Sequence, residues 1–191
     1  MAILIGISWN HTCEISRLER AIRYRGCAID VSNWKGFKVG ELFDIYLSKD
    51  DIQPKNIVDG KIPLVSSGKD NNGIMAYIEN DSAKLWNSNT LTVDMFGKVF
   101  YQPNSYYCVS HGRVNILVPK NNMEKYELMF IATVIERITL SKYNFIQMCT
   151  SKKLKNDIIY LPTKNGTLDC NYMETFMKNI EKQVKEKLMI V

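Results

Sequence analysis

Short apolar blocks alternate with polar residues between positions 34 and 119, and the spacing of apolar residues changes after position 120. The blocks before 120 are rich in β-branched and aromatic residues and are separated by glycine, proline, asparagine and aspartate, which is typical of strands joined by turns. Polar residues 48–60 predict a connection that ends in a turn at Asp59 and Gly60. The predicted strands are 37–39, 41–47, 62–65, 74–78, 90–93, 99–102, 106–109, 113–118 and 158–162.

Helical spacing marks three other segments of the chain. The first segment has apolar residues on one helical face and predicts a helix that starts near a cap at Asn121 or Asn122. A second helix is predicted at about 170–188, where Asn171 and Glu174 have the spacing of a capping box. The apolar positions are Leu128, Ile131, Ala132, Ile135 and Ile138 in the first helix, and Met173, Phe176, Met177, Ile180, Val184 and Leu188 in the second.

These patterns predict a mixed α/β (α+β) fold with a twisted, largely antiparallel β-rich body. We divide the chain into an N-terminal helical extension at 1–30, a β-rich domain with packed helices at 31–168 and a C-terminal helix at 169–191. Ile15, Leu18 and Ile22 have helical spacing within the extension. Arginines crowd this helix and suit either phosphate contacts or a solvated face; they are Arg17, Arg20, Arg23 and Arg25.

The segment from 65 to 78 carries the clearest candidate binding surface. Residues 66–73 are all small, polar or charged, and they separate two apolar runs. Asn72 and Gly73 favour a tight turn because both tolerate positive φ. The hydroxyls, amides and ammonium of this loop suit hydrogen bonds to base edges of a nucleic acid, while the alternative is an ordinary solvated hairpin loop. The candidate residues are Ser66, Ser67, Lys69, Asn71 and Asn72.

Two further polar clusters have the chemistry of nucleic-acid contacts. Residues 137–156 contain five basic residues and no acid, with aromatic and amide side chains between them. Candidate contacts in this segment are Lys142, Tyr143, Lys152, Lys153 and Lys155. A third cluster near the central strands adds Gln102, Asn104 and Arg113. Each cluster alone is also compatible with an ordinary solvated surface. The prediction of nucleic-acid binding therefore depends on the occurrence of all three clusters in one domain.

Composition narrows the class of protein. The 191 residues suit one domain, or one domain with an appendage, and 46% hydrophobic residues provide a core. A net charge of +5 is compatible with nucleic acid. Five cysteines without a CxxC pair favour a reducing cytoplasm over a disulfide framework. We expect no signal peptide and no membrane span, because the apolar N-terminal run is short and no run reaches 18 residues.

Catalytic motifs are scarce in the sequence. Two histidines and no cysteine cluster leave little for a metal site, and no nucleotide-binding loop or nucleophile elbow is present. We expect no cofactor. The enzymatic alternative is a small metal-dependent nuclease in which Asp44 and Asp59 hold a metal that activates water, assisted by Lys61. Metal-dependent cleavage of plasmid DNA by the isolated chain would favour that alternative over a DNA-reading module.

Several short motifs, in order, resemble the target recognition domain of type I restriction-modification specificity subunits and their BcgI-like relatives. The resemblance covers roughly residues 33–180. Residue 168 is leucine where many relatives have proline, and residue 170 is cysteine where an aromatic is common. The matching motifs are WKGFKVGELF at 34–43, IPLVSS at 62–67 with NNGI at 71–74, LTV at 91–93 with Gly97 and Gln102, KLKN at 153–156, Leu161-Pro162, Gly166, Asp169 and Tyr172-Met173.

The resemblance implies a non-catalytic subunit that reads one half of a bipartite target in double-stranded DNA. It also implies a methyltransferase subunit as docking partner, which would supply the methylation chemistry, and a restriction subunit as a further partner. Full subunits of this family carry two recognition domains separated by two helices, so the chain resembles half a subunit. Pairing of the C-terminal helix in a homodimer would restore a two-domain arrangement, and a monomer with that helix docked on its own domain is the alternative.

Overall fold

The computed structural model of the protein describes residues 30–48, 52, 57–79, 83–109 and 114–188. The predicted helical extension at 1–30 lies outside these residues, apart from Asp30. The described strands are β1 (Trp34–Lys38), β2 (Phe43–Leu47), β3 (Asp59–Val65), β4 (Ile74–Ile78), β5 (Thr90–Asp94), β6 (Val99–Gln102), β7 (Tyr107–Cys108), β8 (Val114–Pro119), β9 (Ile158–Lys164) and β10 (Thr167–Leu168). The described helices are α1 (Val39–Leu42), α2 (Lys125–Lys142), α3 (Ser151–Asn156) and α4 (Cys170–Leu188).

Three sheets contain the described strands. A four-stranded sheet has the order β2-β8-β5-β6, and all its pairs are antiparallel. A second sheet has the order β1-β9-β10, and a third has the order β4-β3-β7. Among these pairs only β3 and β7 run parallel. The arrangement confirms the prediction of a mixed α/β fold that is largely antiparallel.

The main core lies between helix α2 and the strands that it covers. Leu128, Ile131 and Ile135 are completely buried, as the helical spacing predicts, and they belong to the same apolar cluster as Leu91 and Val93 of β5. Burial of each such side chain stabilises the fold by about 1.5–3 kcal/mol. The β5–β6 hairpin therefore rests on α2, and this hairpin carries the surfaces described below.

The C-terminal helix α4 packs through its first half on α2. Phe130 of α2 makes an edge-to-face contact with Phe176 at 5.6 Å between ring centroids, and Met173 is fully buried. The Tyr126 hydroxyl donates to the Glu181 carboxylate at 2.5 Å. Beyond Glu181 the helix is more open to solvent, and Val184 is 45% exposed. The prediction of a helix over about 170–188 is confirmed, whereas the domain boundaries at 30/31 and 168/169 remain predictions.

Both predicted helix caps are displaced. Helix α2 begins after Glu124, whose backbone N–H donates to the Glu127 carboxylate at 3.2 Å, and not after Asn121 or Asn122. Helix α4 is capped by Asp169, whose carboxylate accepts from the Tyr172 N–H at 3.0 Å, and not by Asn171. In both cases another acceptor close in sequence occupies the capping position, because the exact helix start is set by packing of the helix on the core.

Two local predictions differ from the structure, and one helix is not predicted. The sequence predicts strands at 37–39 and 41–47, but Val39, Glu41 and Leu42 belong to the helical turn α1, where the Val39 N–H donates to the Asp157 carbonyl at 2.9 Å. Asp59 and Gly60 belong to β3 and not to a turn. A side chain at Gly60 would lie 2.3 Å from the backbone of Ile78, so glycine here permits close approach of two strands across a bulge. Helix α3 has no counterpart among the predicted helices.

No helix among the described residues is long and apolar enough to cross a membrane.

Candidate nucleic-acid interface

Residues 66–73, hereafter the polar loop, join β3 to β4 as the sequence predicts. The Ser66 N–H donates to the Gly73 carbonyl at 2.8 Å and closes the loop. Asn71, Asn72 and Gly73 have φ values of 48°, 56° and 74°, which asparagine and glycine adopt more readily than other residues. The backbone shape of the loop is therefore encoded by its own residues.

Side-chain hydrogen bonds attach the polar loop to the β5–β6 hairpin of a different sheet. The Ser67 hydroxyl donates to the Asp94 carboxylate at 3.0 Å. The Asn72 amide donates to the Tyr101 carbonyl and to the Gln102 side-chain oxygen, both at 3.0 Å. The loop is thus held at both of its ends, and its central residues are presented to solvent in a fixed position.

Exposure separates the predicted loop contacts into two groups. Lys69 and Asn71 are exposed, whereas Ser66, Ser67 and Asn72 are partly buried. The Asn71 amide donates to the Ile74 carbonyl at 3.2 Å, which fixes the side chain without covering it. The residues best placed to meet a ligand are therefore Lys69 and Asn71, while Ser67 and Asn72 hold the loop.

The structure gives Gln102 a different role from the predicted base contact. Its side chain is 2% exposed, and its amide N–H groups donate to the Thr92 hydroxyl at 2.9 Å and to the Asn72 carbonyl at 3.2 Å. A buried, fully bonded amide has no group left for a base edge. Of the other two residues in that cluster, Asn104 is exposed and Arg113 lies outside the described residues.

Asp94 and Thr92 are positioning residues that are not evident from the sequence. Asp94 is buried and accepts hydrogen bonds from the backbone N–H groups of Phe96 and Lys98 as well as from Ser67. The aspartate therefore shapes the turn of the β5–β6 hairpin, residues 94–98, and joins this turn to the polar loop. An acid at the end of a strand followed by a glycine-containing turn is the only pattern in the sequence that indicates this role.

Helix α3 presents the predicted lysines to solvent. Lys152, Lys153 and Lys155 are all exposed, and the Thr150 hydroxyl caps the helix by accepting from the Lys153 N–H at 3.4 Å. Lys152 and Lys155 line one groove of about 350 Å³ together with Lys120, which is not among the predicted contacts. We call this surface the basic groove. It also contains Asp44 and Tyr46 of β2.

Tyr143 is held inside the fold, and Lys142, another predicted contact, is tied from the surface to the same buried carboxylate. The Tyr143 hydroxyl donates to the buried Asp157 carboxylate at 2.5 Å, and the Lys142 ammonium pairs with the same carboxylate. Burial, with the neighbouring carboxylate, raises the pKa of Tyr143. Because Tyr143 is only 4% exposed, its ring is a structural part of the core, whereas Lys142 remains half exposed.

The residues of the nuclease alternative do not form a site. Asp44 lies on the four-stranded sheet, where its carboxylate is 3.8 Å from the Lys120 ammonium, while Asp59 and Lys61 lie on β3 of another sheet. Within the described ranges no group of three or more histidine, cysteine, aspartate or glutamate side chains could hold a metal ion. The nuclease hypothesis has no support from this arrangement.

Comparisons with known proteins agree on one family. The family model described as the type I restriction modification DNA specificity domain matches residues 31–189. The specificity subunit S.BcgI of a type II restriction enzyme from Heyndrickxia coagulans is 34% identical over 161 residues, which are 80% of this chain and 45% of that subunit. The chain therefore spans about half the length of the curated relative that it matches.

Two solved structures have a similar fold. The HsdS subunit from Thermoanaerobacter tengcongensis superposes with a TM-score of 0.58 at 15% identity, over 95% of this chain and 50% of that one. The S subunit of a type I restriction-modification system from M. genitalium superposes with a TM-score of 0.57 at 14% identity, over 83% and 42% of the two chains. At these identities the likeness concerns the fold.

Proposed function

The chain belongs to the family of type I restriction modification DNA specificity domains, and we propose that it reads a sequence in double-stranded DNA without catalytic chemistry of its own. The polar loop, held on the β5–β6 hairpin with Lys69 and Asn71 exposed, is the observation that carries this proposal. Amides and an ammonium in fixed positions suit hydrogen bonds to base edges in a groove. Asn104 is a further candidate for such contacts, and so is Arg113.

We propose that phosphate contacts are made by a surface separate from the polar loop. Lys152 and Lys155 of the basic groove, with Lys153 on the same helix, provide exposed ammonium groups; the segment 137–156 contains no acid, and Asp44 lines the same groove. Such groups bind the DNA backbone irrespective of sequence, while the polar loop distinguishes sequences. The proposal therefore separates affinity, supplied by the lysines, from discrimination, supplied by the loop.

Selection from a pool of random duplexes tests the proposed function. The purified chain should enrich one short sequence, because fixed donors in the polar loop favour particular base edges. Binding of all duplexes with equal affinity, or no binding at low salt, would overturn the proposal.

Replacement of Lys152, Lys153 and Lys155 together by glutamine should weaken binding to every duplex. The dependence of log affinity on log salt concentration should become shallower by roughly one unit of slope for each phosphate that is no longer neutralised. Titrations at several salt concentrations measure this slope. The matched control replaces Lys164, Lys182 and Lys185, which are exposed elsewhere and change the net charge equally. Equal slopes for the two triple variants would contradict a local role of α3.

We also propose a wider assembly, on the basis of the family match. We propose that this chain reads one half of a bipartite target and docks a methyltransferase subunit, which supplies the methylation chemistry, with a restriction subunit as a further partner. Support comes from the match of this chain to about half of each relative. Isolation of the chain from its native host tests this proposal. A methyltransferase that is isolated together with the chain would support it, and isolation of the chain without a methyltransferase would contradict it.

The second half of α4 is the proposed pairing surface for another copy of the chain. Ile180, Val184 and Leu188 recur on one side of the helix, and the last two are 45% and 71% exposed. Sedimentation at tens of micromolar should show a dimer, and Ile180→Glu with Val184→Glu should give a monomer, since two buried carboxylates would face each other across the pair. Asn179→Glu with Gln183→Glu is the matched control on exposed positions and should remain dimeric. A monomeric unmutated chain would exclude stable self-pairing.

A further inference from the structure

An exposed apolar loop lies between α2 and α3, and we propose that it inserts among the bases of duplex DNA as a wedge. We call residues 144–148 the apolar tip. Phe145 is 76% exposed, Ile146 is 96% exposed and Met148 is 40% exposed. This inference rests on the proposed function, because it assigns to the same DNA a contact that is neither a base-edge hydrogen bond nor a phosphate contact.

The exposure of the tip is not a result of missing local structure. The Asn144 side-chain oxygen accepts from the backbone N–H groups of Ile146 and Gln147, both at 2.9 Å. The Asn144 N–H donates to the Gln147 carbonyl at 3.1 Å. Local hydrogen bonds of this kind define a turn. Phe145 and Ile146, the two most exposed apolar side chains among the described residues, therefore stand at the apex of a turn with a defined shape. Contiguous exposed apolar residues of this kind mark contact sites.

The base of the tip is fixed as well. The Cys149 N–H donates to the Met95 carbonyl at 2.8 Å, and the Asn115 amide donates to the Cys149 carbonyl at 3.2 Å. Burial raises the pKa of the Cys149 thiol to about 12, so this side chain stays neutral in the core. The tip is therefore an ordered projection on a rigid base.

The charge around the tip favours a polyanion over an apolar protein partner. The Lys153 ammonium donates to the Met148 carbonyl at 3.1 Å and so lies directly against the tip. Lys142, which precedes the tip, is half exposed, but its ammonium pairs with the buried Asp157 carboxylate, so the charge next to the tip comes from Lys153. No acid occurs in residues 137–156. DNA is the occupant that satisfies apolar side chains and an adjacent ammonium group together, because phosphates border the stacked bases of a groove.

The position of the tip allows it to meet the same duplex as the polar loop. Both are attached to the turn at residues 94–98: the polar loop through Ser67 and Asp94, the tip through Cys149 and Met95. Apolar wedges partly unstack a base step when they enter a groove. We therefore assign to Phe145 and Ile146 an unstacking contact next to the bases that the polar loop reads.

Phe145→Ala, Ile146→Ala and the double variant test the wedge on the full chain. The double variant should bind duplex about 10-fold more weakly, the order expected when one side chain no longer stacks on a base, while its salt slope stays unchanged because every phosphate contact remains. Val58→Ala and Leu85→Ala, exposed by 62% and 47%, are the matched controls and should leave affinity unchanged. A duplex carrying 2-aminopurine in the bound sequence should gain fluorescence with the unmutated chain and not with the double variant.

The possible results separate the wedge from the proposed function. Equal duplex affinity and equal fluorescence for the unmutated chain and the double variant would overturn the wedge and leave the function intact. Unchanged DNA binding with loss of a co-purifying protein would also overturn it, because the tip would then face a protein. No duplex binding by the unmutated chain would overturn the proposed function itself. The thermal midpoints should match, since both side chains are exposed.

Discussion

Gly97→Ala is expected to lower the free energy of unfolding by about 3 kcal/mol. Gly97 has a φ of +91° in the turn at residues 94–98, where a non-glycine residue is strained. A side chain there would also lie 2.6 Å from the carbonyl carbon of Thr139 in α2. The Thr139 hydroxyl donates to the Gly97 carbonyl at 2.5 Å, so neither backbone segment can move away without loss of a buried hydrogen bond.

Gly166→Ala is the matched control for this prediction. Gly166 has a φ of +86°, but a side chain there would meet no atom within 4 Å. This variant should therefore be destabilised only by the backbone strain, about 1 kcal/mol. Urea unfolding of both variants measures the difference. Equal losses of stability would show that the contact with Thr139 is not what restricts residue 97.

The sequence predicts the elements that local spacing determines. Val99–Gln102 is a strand in both prediction and structure, and Leu128, Ile131 and Ile135 form the buried face of α2 as their spacing requires. The turn at Asn72 is also predictable, because asparagine followed by glycine favours positive φ. In each case the information lies within a few residues.

The sequence does not predict features that depend on distant partners. Gln102 is a polar residue at the end of a strand, which favours exposure, and its burial becomes favourable only because Asn72 and Thr92 satisfy its amide. Tyr143 lies in a basic, polar segment, yet the Asp157 carboxylate allows its hydroxyl to be buried. Hydrogen bonds across 30 and 14 residues leave no periodic pattern in the sequence.

The apolar tip is predictable from the sequence only in part. Phe145 is visible in the sequence as an aromatic residue within a basic segment, a pattern of nucleic-acid contact. The role of Ile146 is not visible, because an isoleucine after a helix is usually buried. Its exposure follows from the turn that Asn144 forms, and the acceptor role of that side chain is known only from the structure.

Gln102→Leu is expected to abolish most of the sequence discrimination of the chain while leaving its affinity for non-specific duplex unchanged. The leucine keeps the volume of the side chain but cannot bond to Asn72 or Thr92, so the polar loop is no longer attached to β6 through this residue. A mispositioned loop forfeits base contacts of about 1–3 kcal/mol, which is roughly 5–150-fold in affinity for the preferred sequence. The lysines of α3 are unaffected, so the salt slope should stay the same.

A positioning role for Gln102 has a readout that a base contact would not give. Tryptic cleavage after the exposed Lys69 should become faster in Gln102→Leu without DNA, because the loop samples more conformations once its hydrogen bonds to the Gln102 side chain are lost. Gln183→Leu, at an exposed site on α4, is the matched control and should change neither discrimination nor cleavage.

Asn72→Gly provides an independent variant of the same attachment. Glycine keeps the φ of +56° but removes the amide that donates to the Tyr101 carbonyl and to Gln102. If Asn72 and Gln102 act as one attachment, Asn72→Gly and Gln102→Leu should reduce sequence discrimination by similar factors. The double variant should then lose little more discrimination than either single variant. Additive losses would mean that Asn72 and Gln102 act separately. Full discrimination with unchanged cleavage at Lys69 in both single variants would show that the loop keeps its position without them.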